Sequence, residues 1–273
     1  MVMKQVSEIR ALLLDMDGTV YLGTQPIPGA SDFIRFLQDS AFPFLFLTNN
    51  PAADAAYYSD KLKTMGMETD PRHILTAGAA TATYLMEETP WRAVFALGTP
   101  CFEDELRGAG LTLDRDAPEA VVISFDKTLT YEKLERACLL LRAGLPYIAT
   151  NPDKVCPTEY GYIPDCGAIA ALLESATGRV PRFIGKPEAA FARMALRKLG
   201  VAPEQTAMVG DRLYTDMEMA HCAGLASILV LSGESTQQDL DVASQRPDFV
   251  FDSVRELHQA MTSDKNIRGR NPR

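Results

Sequence analysis

Along the chain, short runs of apolar residues alternate with segments in which apolar residues recur every three or four positions. The runs predict β-strands and the periodic segments predict α-helices. The runs at Leu12 to Leu14 and Phe44 to Leu47, for example, flank a segment from Ala30 to Gln38 that places Phe33 and Leu37 on one helical face. Strand, helix and strand in this order are typical of a parallel sheet.

The same alternation predicts ten strands, which exceeds one small sheet. We therefore expect an α/β fold with a mostly parallel sheet and a second, inserted α/β domain. Clusters of Pro, Gly and polar residues at "EETPWR" and "ATGRVPRF" mark the boundaries. They predict a discontinuous core domain, residues 1–86 and 180–273, around an insertion at residues 87–179. The ten predicted strands are Leu12 to Leu14, Phe44 to Leu47, Ile74 to Leu75, Val94 to Leu97, Val121 to Ser124, Tyr147 to Thr150, Phe183 to Ile184, Thr206 to Val209, Ile228 to Leu231 and Phe249 to Phe251.

The net charge and the cysteine content limit the binding partners and the cellular compartment that the sequence predicts. The net charge of −9 argues against a nucleic-acid or membrane partner, because both reward a positive protein surface. Five cysteines without a CxxC pair favour a reducing compartment. No apolar segment has the length of a signal peptide core or of a membrane span, so we expect a cytoplasmic protein. The polar stretch "TSDKNIRGRNPR" at the end predicts a frayed tail.

Polar residues follow several of the predicted strands directly. In a parallel α/β sheet, ligands bind beyond the carboxyl ends of the strands, so these residues are candidates for one shared site. The four segments are "LLLDMDGT" with Asp15, Asp17 and Thr19, "LFLTNN" with Thr48, Asn49 and Asn50, "FIGKP" with Lys186, and "AMVGDRLYTD" with Asp211 and Asp216.

Clustered aspartates with a lysine and a hydroxyl suit phosphoryl transfer assisted by Mg²⁺, which prefers oxygen ligands. Asp15 is the candidate nucleophile. Asp17, two residues on and on the same side of an extended chain, is the candidate acid and base. Lys186 would neutralise the phosphoryl oxygens and Thr48 would donate a hydrogen bond to them.

The motifs "DMDGT", "LTNN", "GKP" and "GDRLYTD", in this order, resemble the four motifs of the haloacid dehalogenase superfamily of aspartate-nucleophile phosphatases. The longer segments "DMDGTVYLGTQPIPGA", "LTNNP", "FDKTLTYEKL" and "ATNPD" are similar to its NagD-like, 4-nitrophenylphosphatase subgroup. The resemblance spans nearly the whole chain. It implies a Rossmann-like core with a large α/β cap inserted between the second and third motifs.

The resemblance also implies residue roles. Asp15 would be the nucleophile and Asp17 the acid and base. Mg²⁺ would be held by Asp15, the backbone carbonyl of Asp17 and Asp211. Thr48 and Lys186 would bind phosphate, and Asp216 would support the metal through water or hydrogen bonds.

Some residues allow a second interpretation. Asp216 could cap a helix instead of supporting a metal. Asn49 could hold the phosphate-binding turn or bind phosphate itself. In the predicted cap, Asn151 and Asp153 of "ATNPDKVCP" could contact the leaving group, or could form only an Asx-Pro turn.

The leading hypothesis is a phosphomonoesterase of small soluble phosphates. The segment from Glu87 to Arg179 has nine basic and 15 acidic residues, a net charge of −6. Such a cap would discourage polyanions but admit a nucleoside monophosphate, a sugar phosphate or a polyol phosphate. A phosphomutase or other phosphotransferase of the same fold remains an alternative. A phosphate-binding or signalling protein is a further one, and a homodimer formed through the cap is possible.

Overall fold

The computed structural model describes residues 5–158 and 161–263. The chain forms two compact units. The first comprises the residues up to Leu47, Tyr58–Ile74 and the residues from Pro187 onward, and the second comprises Thr48–Tyr57 and Leu75–Lys186. The boundaries predicted at residues 87 and 180 stay a prediction of the sequence.

Fifteen strands and ten α-helices lie in the described residues. The strands are β1 (Ala11–Leu14), β2 (Tyr21–Leu22), β3 (Gln25–Pro26), β4 (Phe44–Thr48), β5 (Ile74–Thr76), β6 (Ala93–Leu97), β7 (Thr112–Leu113), β8 (Ala120–Ile123), β9 (Tyr147–Ala149), β10 (Val155–Thr158), β11 (Gly161–Pro164), β12 (Arg182–Phe183), β13 (Thr206–Gly210), β14 (Ala226–Val230) and β15 (Phe249–Phe251). The helices are α1 (Ala30–Asp39), α2 (Ala55–Thr64), α3 (Ala77–Glu88), α4 (Pro100–Gly108), α5 (Tyr131–Arg142), α6 (Cys166–Thr177), α7 (Ala189–Leu199), α8 (Glu218–Ala223), α9 (Gln237–Val242) and α10 (Val254–Ser263).

The first unit is built on a six-stranded sheet in the order β15-β14-β13-β1-β4-β5. The pairings of β1 with β13 and β4, and of β14 with β13 and β15, are parallel. Every residue of β1, β13 and β14 is buried, as expected for parallel strands covered by helices on both faces. Helix α1 buries Phe33, Ile34 and Leu37, which is the face predicted from its periodicity.

The second unit has a five-stranded parallel sheet in the order β12-β9-β8-β6-β7. Its core packs apolar side chains of β6, β8 and β9 against helices α5 and α6. Leu140, Leu141, Ile169 and Leu173 supply the helical side of this core. An antiparallel hairpin of β10 and β11 is attached to the unit.

The predicted α/β class with mostly parallel sheets is confirmed, and each of the ten predicted strands lies in or overlaps an observed one. The sequence analysis missed β2, β3, β7, β10 and β11, which are short or belong to hairpins. Of the strands that precede the four polar segments, three belong to the six-stranded sheet and one does not. The strand before Lys186, β12, pairs with β9 of the five-stranded sheet, where Phe183 packs on the core of the second unit.

Two further expectations concern the ends of the chain and its helices. The predicted tail at residues 262–273 begins inside α10, and its residues 264–273 lie outside the described part of the chain. None of the helices in the described residues has the length and hydrophobicity needed to cross a bilayer.

Candidate active site

In the first unit, two aspartates directly follow neighbouring parallel strands. Asp15 comes after β1 and Asp211 after β13, and the backbone N–H of Asp15 donates to the carbonyl of Val209 at 2.8 Å. Because paired parallel strands end at the same edge of a sheet, these two carboxylates are brought together as the sequence analysis predicts.

Asp216 completes a cluster of three buried carboxylates with Asp15 and Asp211. Each residue offers an oxygen, and the three oxygens lie within 4.8 Å of one another. The backbone approaches Asp211 closely on two sides, because a Cβ at Gly18 or at Gly233 would clash with its carboxylate. Gly18 also has a positive φ of 87°, which disfavours any other residue there.

The charge of this cluster is not balanced by hydrogen bonds alone. The Asp211 Oδ2 atom accepts from the backbone N–H of Glu234 at 2.7 Å, whereas its Oδ1 atom is buried and has no partner among the described residues. Burial raises the pKa of Asp211, and the neighbouring charges of Asp15 and Asp216 raise it further. Three carboxylates with hard oxygen donors, one of which has a buried oxygen without a partner among the described residues, fit a divalent cation.

Asp216 lies on a π-helical turn, Leu213–Met217, that leads into α8. Its side chain is fully buried, and the Oδ2 atom accepts from the backbone N–H of Arg212 at 3.2 Å. A capping side chain accepts from N–H groups two or three residues further along the chain, whereas Asp216 lies within the turn and accepts from a residue that precedes it, so it is not the cap of this turn or of α8. Its carboxylate also offers an oxygen to the cluster with Asp15 and Asp211.

Asp17 lies in the loop between β1 and the hairpin of β2 and β3, and it is half-buried. The backbone N–H of Gly23 donates to its Oδ1 atom at 3.4 Å. Burial raises the pKa of Asp17, while the charge of Lys61 lowers it. A carboxyl whose pKa is raised by burial holds its proton more readily, which suits the general acid that the sequence predicts.

In the second unit, Asn49 and Lys186 are joined by two hydrogen bonds, although they are far apart in the sequence. The Asn49 amide donates to the carbonyl of Lys186 at 2.9 Å, and the Lys186 N–H donates to the Asn49 Oδ1 atom at 2.7 Å. A Cβ at Gly185 would clash with this amide and with the carbonyl of Thr150. Asn49 therefore fixes the backbone that positions the buried Lys186, and glycine is needed beside it.

Asn151 and Asp153 lie near Asn49 in the same unit. The Asn151 amide donates to the carbonyl of Asn49 at 2.8 Å, and its Oδ1 atom accepts from the N–H of Asp153 at 3.0 Å. The second bond is the predicted Asx turn. The Asn49 amide also donates to the Asp153 carboxylate at 3.1 Å. Both residues thus support the Asn49 turn, and contact of either with a substrate stays a prediction.

Thr48 ends β4 and is buried, and its hydroxyl accepts the N–H of Asn50 at 3.1 Å. Two features of the site were missed in the sequence. Gly233 follows β14 and crowds Asp211, and the strand-end rule could have found it in "LVLSGE". Lys61, whose charge acts on Asp17, lies within α2, where no sequence pattern singles it out.

Two family models match the chain. Residues 12–112 match "Haloacid dehalogenase-like hydrolase" and residues 183–257 match "HAD-hydrolase-like". These ranges contain the strands that precede Asp15 and Asp211. The chain therefore belongs to the haloacid dehalogenase superfamily of hydrolases.

Named relatives refine the subgroup. The chain is 37% identical to an acid sugar phosphatase of Staphylococcus aureus, with 92% of this chain and 97% of that protein covered. It is also similar to the crystal structure of a 4-nitrophenylphosphatase from Thermotoga maritima, with 43% identity, 94% and 98% coverage and a TM-score of 0.90. For NagD from E. coli K-12 the identity is 32%, the coverage 91% and 98%, and the TM-score 0.86.

The predicted subgroup is thus confirmed: the chain is a NagD-like phosphatase of this superfamily. The prediction of an enzyme that removes phosphate from small esters is confirmed with it. Phosphatases of this family generally use a divalent metal, in agreement with the donor set of the carboxylate cluster.

Proposed function

We propose that this phosphatase hydrolyses small phosphate monoesters with Mg²⁺ as its metal and with a covalent aspartyl-phosphate on Asp15. The observation that carries the proposal is the carboxylate cluster of Asp15, Asp211 and Asp216. Its oxygens lie within 4.8 Å of one another, and the buried Oδ1 atom of Asp211 has no hydrogen-bond partner among the described residues. Such a cluster of like charges is unfavourable unless a cation offsets it.

In the proposed reaction, a carboxylate oxygen of Asp15 attacks phosphorus and the ester P–O bond breaks. Asp17 gives its proton to the departing alkoxide. Asp17 then takes a proton from a water molecule whose oxygen attacks the phosphorus of the aspartyl-phosphate. This second step releases inorganic phosphate and restores the Asp15 carboxylate.

The residues that would hold Mg²⁺ are Asp15, Asp211 and the backbone carbonyl of Asp17, with Asp216 supporting them. When bound, the ion supplies positive charge to the oxygens of the transferred group. The backbone at Gly18 and Gly233 lies so close to the Asp211 carboxylate that a Cβ at either glycine would clash with it. This close packing limits the movement of the carboxylate. Fixed charges of this kind avoid reorganisation during the reaction.

Thr48 and Lys186 are proposed to bind the phosphate, and Asn49 is proposed to hold the turn that positions Lys186. The mutual hydrogen bonds of Asn49 and Lys186 fix the lysine backbone, so the ammonium group is presented from a rigid turn. An ammonium group and a hydroxyl are suitable partners for phosphoryl oxygens. Both polar atoms of the Asn49 amide form hydrogen bonds to the backbone of Lys186, which favours a positioning role for Asn49.

The proposed substrates are sugar and polyol phosphates, with aryl phosphates hydrolysed in vitro. The names of the relatives support this class, since one is an acid sugar phosphatase and another a 4-nitrophenylphosphatase. The acidic composition of residues 87–179 disfavours polyanionic substrates. A cytoplasmic location and a homodimer through the cap remain predictions of the sequence.

The test is phosphate release from 4-nitrophenyl phosphate and from a panel of sugar, polyol and nucleoside monophosphates, with Mg²⁺ or with a chelator. The wild type is compared with Asp15→Asn and with Asp39→Asn, which changes an exposed carboxylate at the end of α1. We expect phosphate release to require Mg²⁺. Its rate should fall by about 10⁴-fold or more in Asp15→Asn and stay unchanged in Asp39→Asn. Transfer of the phosphoryl group to a second sugar without release would favour the mutase instead.

A further inference from the structure

The last turn of helix α2 contains a half-buried lysine, Lys61, whose charge acts on Asp17. Its ammonium nitrogen lies 3.9 Å from the centre of the Tyr21 ring. At this distance a cation is attracted to the face of an aromatic ring. Both residues belong to the first unit, and Tyr21 is almost fully buried. The ammonium group of Lys61 and the ring of Tyr21 therefore form a cation–π contact within this unit.

Tyr21 is tied to the Asp17 loop by its backbone. Its carbonyl accepts the N–H of Gly18 at 2.7 Å, and its N–H donates to the carbonyl of Met16 at 3.2 Å. Tyr21 also forms a β-bridge with Asp17 itself. A group that holds the Tyr21 ring therefore acts on the loop that carries the Asp17 carboxylate.

The positive charge of Lys61 also reaches the Asp17 carboxylate through space. Among the effects on the pKa of Asp17, the attraction of Lys61 is the largest that opposes burial. The only hydrogen bond to the Asp17 carboxylate among the described residues comes from the backbone N–H of Gly23, at 3.4 Å. A bond of that length holds a side chain weakly. Hydrogen bonds therefore hold this carboxylate only weakly, and its position depends on the loop that is joined to Tyr21.

We propose that Lys61 is a positioning residue for the proton donor of the phosphatase reaction, holding the Asp17 carboxylate and its loop through the Tyr21 ring. This inference rests on the proposed role of Asp17. The other lysine of α2, Lys63, has a side chain that is 65% exposed and pairs with Glu68 at 3.5 Å. Lys63→Met is thus a matched control on the same helix.

The leaving group distinguishes a positioning role from a merely structural one. A sugar or polyol alkoxide needs a proton as it departs, whereas 4-nitrophenolate is a stable anion and leaves without one. A change that misplaces the proton donor therefore slows alkyl phosphates more than aryl phosphates. The parameter to compare is kcat/KM, because it reports the steps up to the departure of the leaving group.

The experiment measures kcat/KM for an alkyl phosphate and for 4-nitrophenyl phosphate in the wild type, Asp17→Asn, Lys61→Met, Lys61→Arg and Lys63→Met. We expect Lys61→Met to lose about 10-fold or more on the alkyl ester and less than about threefold on the aryl ester. Lys61→Arg keeps the charge and the stacking on Tyr21, so it should restore most of the alkyl activity. Lys63→Met should match the wild type.

The Asp17→Asn variant distinguishes a wrong assignment of Asp17 as proton donor from a wrong inference about Lys61. If it slows both esters equally, the assignment of Asp17 as proton donor is wrong and the inference about Lys61 falls with it. If Asp17→Asn slows mainly the alkyl ester while Lys61→Met slows both equally or neither, Lys61 has no positioning role. Should Lys61→Met fail to fold, Lys61→Gln removes the charge with a smaller change in polarity and decides by the same ratio.

Discussion

Asp211 in the first unit and Asp126 in the second are both buried aspartates that follow a parallel strand, β13 and β8 respectively. Their surroundings differ. The Asp126 carboxylate accepts the Lys133 ammonium at 2.7 Å and the N–H and hydroxyl of Thr128 at 2.7 and 2.6 Å. Asp211 has one N–H on Oδ2, no partner for Oδ1 among the described residues, and two carboxylates beside it.

This difference separates a structural carboxylate from one available for chemistry. A buried charge that is paired and fully hydrogen-bonded has no capacity left for a ligand. A buried carboxylate held among like charges is stable only with a cation, and it can bind one without first breaking an ion pair. Position at the end of a strand is thus shared by both residues, and the charge balance around each decides its role.

The largest expected effect comes from removing one charge of the cluster. Asp211→Asn should reduce phosphatase activity by about 10³-fold or more, because the proposed metal loses a ligand. With a chelator present, the same variant should be more thermally stable than the wild type, since repulsion with Asp15 and Asp216 is relieved. Added Mg²⁺ should raise the melting temperature of the wild type but not of the variant.

Melting curves with Mg²⁺ and with a chelator check this prediction, and Asp252→Asn, at an exposed carboxylate, serves as the control. A variant that loses stability in the chelator, or that still responds to Mg²⁺, would show that Asp211 is a structural residue like Asp126.

The second effect is expected at Lys133, and it should appear in stability and not in activity. Lys133→Met leaves the fully buried Asp126 carboxylate without its cation, which should cost about 3 kcal/mol of unfolding free energy. The ammonium also donates to the carbonyl of Gly98 at 3.1 Å, so a second acceptor is left unpaired. Denaturant unfolding measures the loss.

The control for Lys133→Met is Lys127→Met, at an exposed lysine after β8. Combining Lys133→Met with Asp126→Asn should recover part of the stability, because the unpaired charge is removed. Equal destabilisation by Lys127→Met and Lys133→Met, or no recovery in the double variant, would contradict a structural ion pair at this place.

The same comparison shows what the sequence could predict. Apolar runs followed by polar residues located Asp15, Asp211 and Thr48, because the ends of parallel strands converge whatever the details of packing. Order along the chain could not reveal that β12 joins the second sheet, which is decided by the tertiary packing of Phe183. Nor could it reveal which lysine neutralises which aspartate.

Two-residue strands were also beyond sequence analysis. The hairpin of β2 and β3 is too short to show an alternating pattern, yet it carries Tyr21 and borders Asp17. The contact of Lys61 with that ring joins residues 40 positions apart, and it follows from the packing of α2 beside the hairpin. Such contacts depend on the assembled fold and leave no local signal.

The hydrogen bonding and charge balance around Glu105 on α4 are intermediate between those around Asp211 and Asp126. Its Oε1 atom accepts the hydroxyl of Thr76 at 3.0 Å, whereas its Oε2 atom is buried against Gly78 with no hydrogen-bond partner in the described residues. No ion pair to Glu105 is present among the described residues. Burial raises the pKa of Glu105 to about 7, the charge of nearby Asp54 adds to the rise, and the bond from Thr76 opposes it.

Because this pKa is raised in the folded state, the folded protein holds the proton more tightly than the unfolded chain. Stability should therefore fall as pH rises from about 4.5 to about 7, and the cost should be complete above pH 7. Glu105→Gln removes the charge, so it should match the wild type below pH 4.5 and exceed it by about 2 kcal/mol at pH 8. The control is Glu135→Gln, at an exposed residue of α5, which should leave the pH profile of unfolding unchanged. A constant difference between Glu105→Gln and the wild type from pH 5 to pH 8 would mean that Glu105 is as well compensated as Asp126.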